Sequence, residues 1–221
     1  MTEAPLEDNG SGLAPAGEGW FVVNVRVAQW LTSEEGEKQP TGSECYFESG
    51  KAEFPQLGFR IHVLPPEQSN GLYQGENKRE DFLVLHGECV LLVQGEERRL
   101  SAWDFVHCPP WTEHIFVGAG DGPCAILMAG ARGDDWQVRY PASEFAVRHR
   151  ASAAEETFQS RSGLRRVRAV PARTTVLLAA TALGLDEGSD GGRSLNLHLP
   201  RSRSGRSSTL VIHALGLAGF V

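Results

Sequence analysis

Between Phe59 and Met128 the chain is cut into short apolar-rich runs by turn-forming residues, and this constrains its fold most. The runs are Phe59–Val63, Asp81–His86, Cys89–Val93, Glu97–Leu100, Asp104–Cys108, His114–Val117 and Pro123–Met128. Pro65-Pro66, Gly87-Glu88, Gln94-Gly95-Glu96, Pro109-Pro110 and the GAGDG run at 118–122 punctuate them. Runs this short cannot carry a helix of useful length, and no sustained 3.6-residue period appears between residues 20 and 130. Strands at roughly 8–12-residue spacing with turn chemistry between them fold as an antiparallel sandwich or barrel. The fold class read from the residues is therefore all-β.

The flanks read differently. Residues 1–19 hold four Gly, two Pro and four acids without periodicity and are expected to be a flexible leader. Phe21, Val23, Val25 and Val27 alternate with Val22, Asn24 and Arg26, the pattern of a strand. Its edge is the place where a second copy would pair, giving a homodimer. Another short strand is expected at Cys45–Phe47. Ser143–Thr157 reads as a short helix capped by Ser143. These boundaries give a leader over 1–19, a barrel domain with a helical extension over 20–157, and a tail over 158–221.

The last 61 residues contain one aromatic, Phe220, against 17 in residues 1–160. Arg, Ser, Gly, Ala and Leu dominate, so the tail is expected to be low-complexity and disordered. No Lys occurs after Lys78, and out-of-frame translation of a GC-rich gene would leave the same abrupt shift. Residues 1–160 carry 12 basic and 25 acidic side chains. An acidic body lacks the basic face that phosphate contacts need, so nucleic acid is not the expected partner. No stretch is apolar enough for a bilayer, and Met1 is followed by neither a basic n-region nor an apolar h-region. With four cysteines lacking CxxC spacing, the chain reads as cytoplasmic, with reduced, buried thiols.

Residues 73–118 read YQGENKREDFLVLHGECVLLVQGEERRLSAWDFVHCPPWTEHIFVG. This stretch resembles the two motifs of the cupin superfamily, small barrels built as a double-stranded β-helix, or jelly roll. In the first motif Glu80, six residues and Gly87 match, while the HxH positions hold Gln74 and Glu76. In the second motif Pro109 and His114 match, the two Gly positions hold Trp103 and Trp111, and the Asn position holds Gly118. Fifteen residues separate Gly87 from Trp103, the spacing of a compact single-domain cupin.

The resemblance implies a site inside the barrel built from Gln74, Glu76, Glu80 and His114. Side chains at i and i+2 of an extended segment share a face, and the others arrive from neighbouring strands. One His, two carboxylates and an amide form a harder donor set than the usual three His and one Glu. That set implies a divalent ion such as Mn, Fe, Zn or Ni, with a metal-free barrel left open. Tyr73, Phe82, Val84, His86 and Phe116 are the expected pocket lining. The function implied is small-molecule binding at a degenerate metal site. Its alternatives are a metal-free ligand-binding or regulatory cupin, and a cupin enzyme, either metal-dependent or an acid–base isomerase using Glu80 and His114. Whether the chain is an enzyme is left open. A Cys108–His114 nucleophile pair is a weaker candidate.

Overall fold

The computed structural model describes residues 1–33, 42–160 and 169–171. Strands β1 (Leu6–Asp8) and β2 (Leu13–Pro15) form a hairpin of their own. They are followed by β3 (Gln29–Ser33), β4 (Ser43–Tyr46) and β5 (Leu57–Leu64). The central strands are β6 (Gly75–Glu76), β7 (Glu80–His86), β8 (Glu88–Val93), β9 (Glu96–Ser101), β10 (Phe105–Cys108), β11 (His114–Ala119) and β12 (Cys124–Ala131). The rest are β13 (Gln137–Tyr140), the single helical turn α1 (Glu144–Val147), β14 (Thr157–Ser160) and β15 (Ala169–Pro171).

A seven-stranded sheet, in the order β10-β7-β12-β5-β4-β3-β15, faces the three-stranded sheet β11-β8-β9. A second three-stranded sheet, β14-β13-β6, completes the frame, and the paired strands are antiparallel throughout. The expected all-β barrel is the fold formed. Among the described residues, no helix is long and apolar enough to cross a membrane.

Strand parity sorts the large sheet into two faces. Tyr46, Arg60, Met128, Phe82 and Val106 form one cross-strand row, because each lies opposite the next in register. The adjacent row is Trp30, Cys45, Ile61, Leu127 and Leu83. Neighbouring residues point to opposite faces, so the two rows cannot mix. The first row faces the barrel interior. There Phe82, Val84, Ile126 and Met128 pack with Leu91 and Phe116 from the small sheet. The second row faces outward and is covered by Val23 and Val25 of the N-terminal segment.

Several expectations at the flanks are corrected. The segment Phe21–Val27 is not a strand; Val22 is 77% and Val27 51% exposed. Asn24 explains this locally. Its side-chain oxygen accepts the Arg26 N–H, and its carbonyl accepts the N–H groups of Val27 and Ala28, closing a turn where alternation predicted extension. The edge invoked for a homodimer is therefore not formed by this segment.

Residues 1–19, expected to be a flexible leader, hold the β1–β2 hairpin, with Ala4 and Ala14 buried. Asn9 donates to the side-chain oxygen of Gln29 at 2.7 Å. At Gly12 the backbone is left-handed (φ 132°), and a β-carbon there would run into the Ala28 carbonyl. The glycines here thus serve a tight turn and a close approach rather than slack.

The helix expected over Ser143–Thr157 is only one turn, capped as predicted by the Ser143 hydroxyl on the Ala146 N–H. It ends at Val147, with Arg148 as its C-cap, and the turn that follows closes on the left-handed Arg150 (φ 57°). Within the tail expected from residue 158, residues 158–160 complete β14 against β13, and Ala169–Pro171 pair with β3. The remainder of the tail lies outside the described residues.

Both tryptophans at motif glycine positions keep the left-handed backbone of a glycine, with φ 77° at Trp103 and 67° at Trp111. For a bulky residue this conformation is a genuine outlier. Trp103 is 75% exposed, so little packing compensates it. Trp103→Gly is expected to raise stability by about 1 kcal/mol, a Tm increase of roughly 2–4 °C by thermal melting. An unchanged or lower Tm would show that the exposed indole contributes more than its backbone strain costs.

Candidate functional site

The site is assembled by one backbone bridge. The N–H of Gln74 donates to the His114 carbonyl at 3.1 Å, and the N–H of His114 returns to the Gln74 carbonyl at 2.7 Å. Residues paired in this way lie side by side and project to one face. Gln74, Glu76, Glu80 and His114 are all buried. Glu76 sits in β6 opposite Val138 of β13, and Glu80 opens β7 between Cys108 and Gly130.

The four side chains form two pairs. Gln74 Nε2 donates to Glu76 Oε1 at 3.4 Å, and the Trp136 indole Nε1 donates to Glu76 Oε2 at 2.8 Å. Glu80 Oε2 lies 3.6 Å from His114 Nε2. His114 Nδ1 is 2.9 Å from the Thr112 carbonyl. A carbonyl only accepts, so Nδ1 carries a proton and Nε2 is the nitrogen presented to Glu80. The imidazole rests on aromatic rings, with Phe82 at 5.1 Å and Phe116 at 6.2 Å between centroids.

A second buried polar group shares the inner face of the large sheet, and the sequence reading did not find it. Arg60 Nη1 and His62 Nδ1 each lie 3.0 Å from Glu44 Oε1, and the Tyr46 hydroxyl donates to the same carboxylate. Burial would push the Glu44 carboxyl up, but the charges of Arg60 and His62 more than reverse this and hold it well below the usual range. Burial would likewise lower the Arg60 pKa, and the Glu44 charge outweighs it, aided by that of Glu80. Arg60 thus couples this group electrostatically to Glu80. The one trace in the sequence is that Arg60 and His62 share a face of β5; that Glu44 lies across from His62 appears only in the register.

The expected lining residues divide. Phe82, Val84 and Phe116 belong to the interior cluster. Tyr73 does not line it: next to Gln74 it must face the other way, and it packs with Leu92, Ile115 and Val117 outside the barrel. Its hydroxyl accepts the Gly95 N–H at 3.2 Å. His86 is half-buried at the far end of β7. Six residues of strand put it about 20 Å from Glu80, too far to join the site. Cys108 is 2% exposed, and its thiol is pushed up to about 12 by burial and by the charges of Glu80 and Asp81. That excludes a ready thiolate for the Cys108–His114 pair.

Both oxygens of Glu76 are engaged, and Glu80 and His114 face each other. Among the described residues, no three His, Cys, Asp or Glu side chains gather closely enough to hold a metal ion.

The family described as Cupin domain matches residues 60–130, the span from Arg60 through Glu80 and His114 to Gly130. The match supports a cupin-type domain over this stretch. Several solved structures are similar to the chain. A sugar phosphate isomerase from a cupin superfamily of Silicibacter pomeroyi is 18% identical, with a TM-score of 0.49, covering 64% of this chain and 94% of that one. The DMSP lyase DddQ of Ruegeria pomeroyi is 27% identical, with a TM-score of 0.40 and coverages of 49% and 57%. The polyketide cyclase RemF of Streptomyces resistomycificus is 15% identical, with a TM-score of 0.38 and coverages of 41% and 65%. No curated protein matches in sequence.

Proposed function

We propose that the cupin barrel binds a small polar molecule on the Glu80–His114 pair, with Gln74 and Glu76 beside it. The observation that carries this reading is the buried carboxylate 3.6 Å from an imidazole whose Nδ1 is anchored on a backbone carbonyl. Such a pair offers a donor and an acceptor at fixed places in an apolar setting, where a hydrogen bond discriminates most strongly. The same pair can pass a proton between two atoms of a bound molecule, with Nε2 as base and a protonated Glu80 as acid. That is the enzymatic form of the proposal, an acid–base isomerase.

A divalent cation is the second reading. One observation favours it: the Thr112 carbonyl on Nδ1 leaves Nε2 as the lone-pair donor, the way ligating imidazoles are held. Glu76 would then have to leave Gln74.

The test is a ligand-observed NMR screen of the full chain against small polyols, sugar acids and amines, repeated with Glu80→Gln and His114→Ala. Hits at this site weaken roughly tenfold to a hundredfold in both variants. Hits that bind both variants as tightly as the parent overturn the site. Any turnover found should fall about 100-fold in Glu80→Gln. Elemental analysis of protein purified without a histidine tag selects the metal reading if stoichiometric Mn, Fe, Zn or Ni is lost in His114→Ala.

A further inference from the structure

The Glu80–His114 pair is not closed by a hydrogen bond of its own. Glu80 Oε2 and His114 Nε2 are 3.6 Å apart, too long for one. The Nδ1 proton is committed to the Thr112 carbonyl, so a neutral imidazole turns the Nε2 lone pair toward Glu80. A carboxylate oxygen and that lone pair are both acceptors, and two acceptors at this separation call for a donor between them. Two neighbouring N–H groups are directed elsewhere: Trp136 Nε1 and Gln74 Nε2 both donate to Glu76. Trp136 is fixed in that role by Asn77, the residue after Glu76. Asn77 donates to the Asp135 carbonyl at 2.7 Å and accepts the Gln137 N–H at 2.9 Å, on either side of the tryptophan. Charge points the same way. Glu76 and Glu80 are carboxylates only 1% and 2% exposed. Arg60 brings a positive charge to the inner face of the large sheet, but Glu44 offsets it at 3.0 Å, and His62 faces Glu44 as well. A buried excess of negative charge is relieved by a cation. A hydroxyl stays neutral and donates one hydrogen, whereas a primary ammonium is positive and donates three. A tetrahedral nitrogen about 2.9 Å from both Oε2 and Nε2 donates to each at once. A quaternary ammonium has the charge but no donor.

We propose that the ligand of this site is a primary amine, whose ammonium nitrogen bridges Glu80 Oε2 and His114 Nε2 while Glu76 supplies a second negative charge nearby. The proposal rests on the reading of Glu80–His114 as the binding pair and names the class of ligand that pair selects. A polyol hydroxyl would leave one of the two acceptors unanswered. An anionic ligand would set like charge against two buried carboxylates. The Phe82 ring, 5.1 Å from the imidazole between centroids, keeps the surroundings apolar, where a charge-assisted hydrogen bond is strongest.

The test uses the full chain at neutral pH, treated with a chelator so that no metal bridges probe and pair, with its histidines labelled with 15N. Four probes share a two-carbon skeleton: ethanolamine, ethylene glycol, glycolate and choline. Binding is read from the ring signals of His114, assigned by their loss in His114→Gln. Ethanolamine is expected to shift these signals with a Kd of about 1–10 mM. It should bind at least roughly tenfold more tightly than the neutral, the anionic and the quaternary probe. In Glu80→Gln its affinity falls roughly tenfold or more. Ethylene glycol, glycolate or choline binding as tightly as ethanolamine overturns the proposal. If that binding weakens in Glu80→Gln, the pair still stands as a binding site, for another class of ligand. Ethanolamine binding that is unchanged in Glu80→Gln overturns the bridge. The absence of any shift with ethanolamine at about 50 mM overturns the amine as ligand, and leaves the binding pair to be decided by the polyols and sugar acids of the wider screen. If Glu80→Gln does not fold, the ranking of the four probes on the parent protein decides.

Discussion

Glu44→Ala is expected to destabilise the protein by about 3–5 kcal/mol, lowering Tm by on the order of 10 °C. The Arg60 and Glu44 side chains are 8% and 13% exposed, and His62 is 3% exposed. Removing the carboxylate leaves Arg60 charged in the barrel interior without its closest counter-ion. The pair itself contributes little net stability, because forming it strips both ions of water; breaking it on one side is what costs. The pH dependence follows from the same geometry. In the folded protein Arg60 and His62 hold Glu44 below the value of 4.5 it has in an unfolded chain. A carboxylate with a depressed folded pKa contributes stability that is fully present above the unfolded value. This is lost as pH falls from 4.5 toward the folded pKa, because the unfolded chain takes up the proton first. Thermal melts monitored by circular dichroism across that acid range should show a shallower decline for Glu44→Gln than for the parent protein. Parallel declines would mean that other carboxylates dominate acid unfolding.

Phe116→Ala should cost a similar amount, about 3–5 kcal/mol, by a different route. Phe116 is fully buried, and its ring lies 4.8 Å from that of Phe82 at the centre of the interior cluster. Truncation loses the transfer free energy of the ring and leaves a cavity between two sheets that cannot close over it. Phe116→Leu retains most of the volume and should cost about 1 kcal/mol. Urea unfolding of the two variants measures the difference. Equal losses would indicate that the core repacks around the missing ring. The imidazole of His114 borders the same ring, so only the leucine variant is suited to ligand measurements.

Glu80 and His114 were legible as a pair because each matches a motif position, and strand parity accounts for their facing one interior. The same parity already sends Tyr73 away from Gln74, so its assignment to the lining was avoidable. Trp103 and Trp111 were legible as departures from glycine. That the chain keeps a glycine-like backbone at both, at the cost of strain, was not. The alternation at Phe21–Val27 misled because a single Asn24 turn, stabilised by three local hydrogen bonds, outweighs a four-residue hydrophobic pattern.

By itself, then, the sequence determined the strand-and-turn punctuation, the antiparallel all-β class and the strand starts carrying Glu80 and His114. These depend on residues within a few positions of one another. Only the tertiary structure decided that Glu44 would neutralise Arg60, that Trp136 would hold Glu76, and that Glu80 would face His114. Those contacts join residues 16 to 60 positions apart, and their geometry follows from strand register and the closure of the barrel, which no local period of side chains encodes.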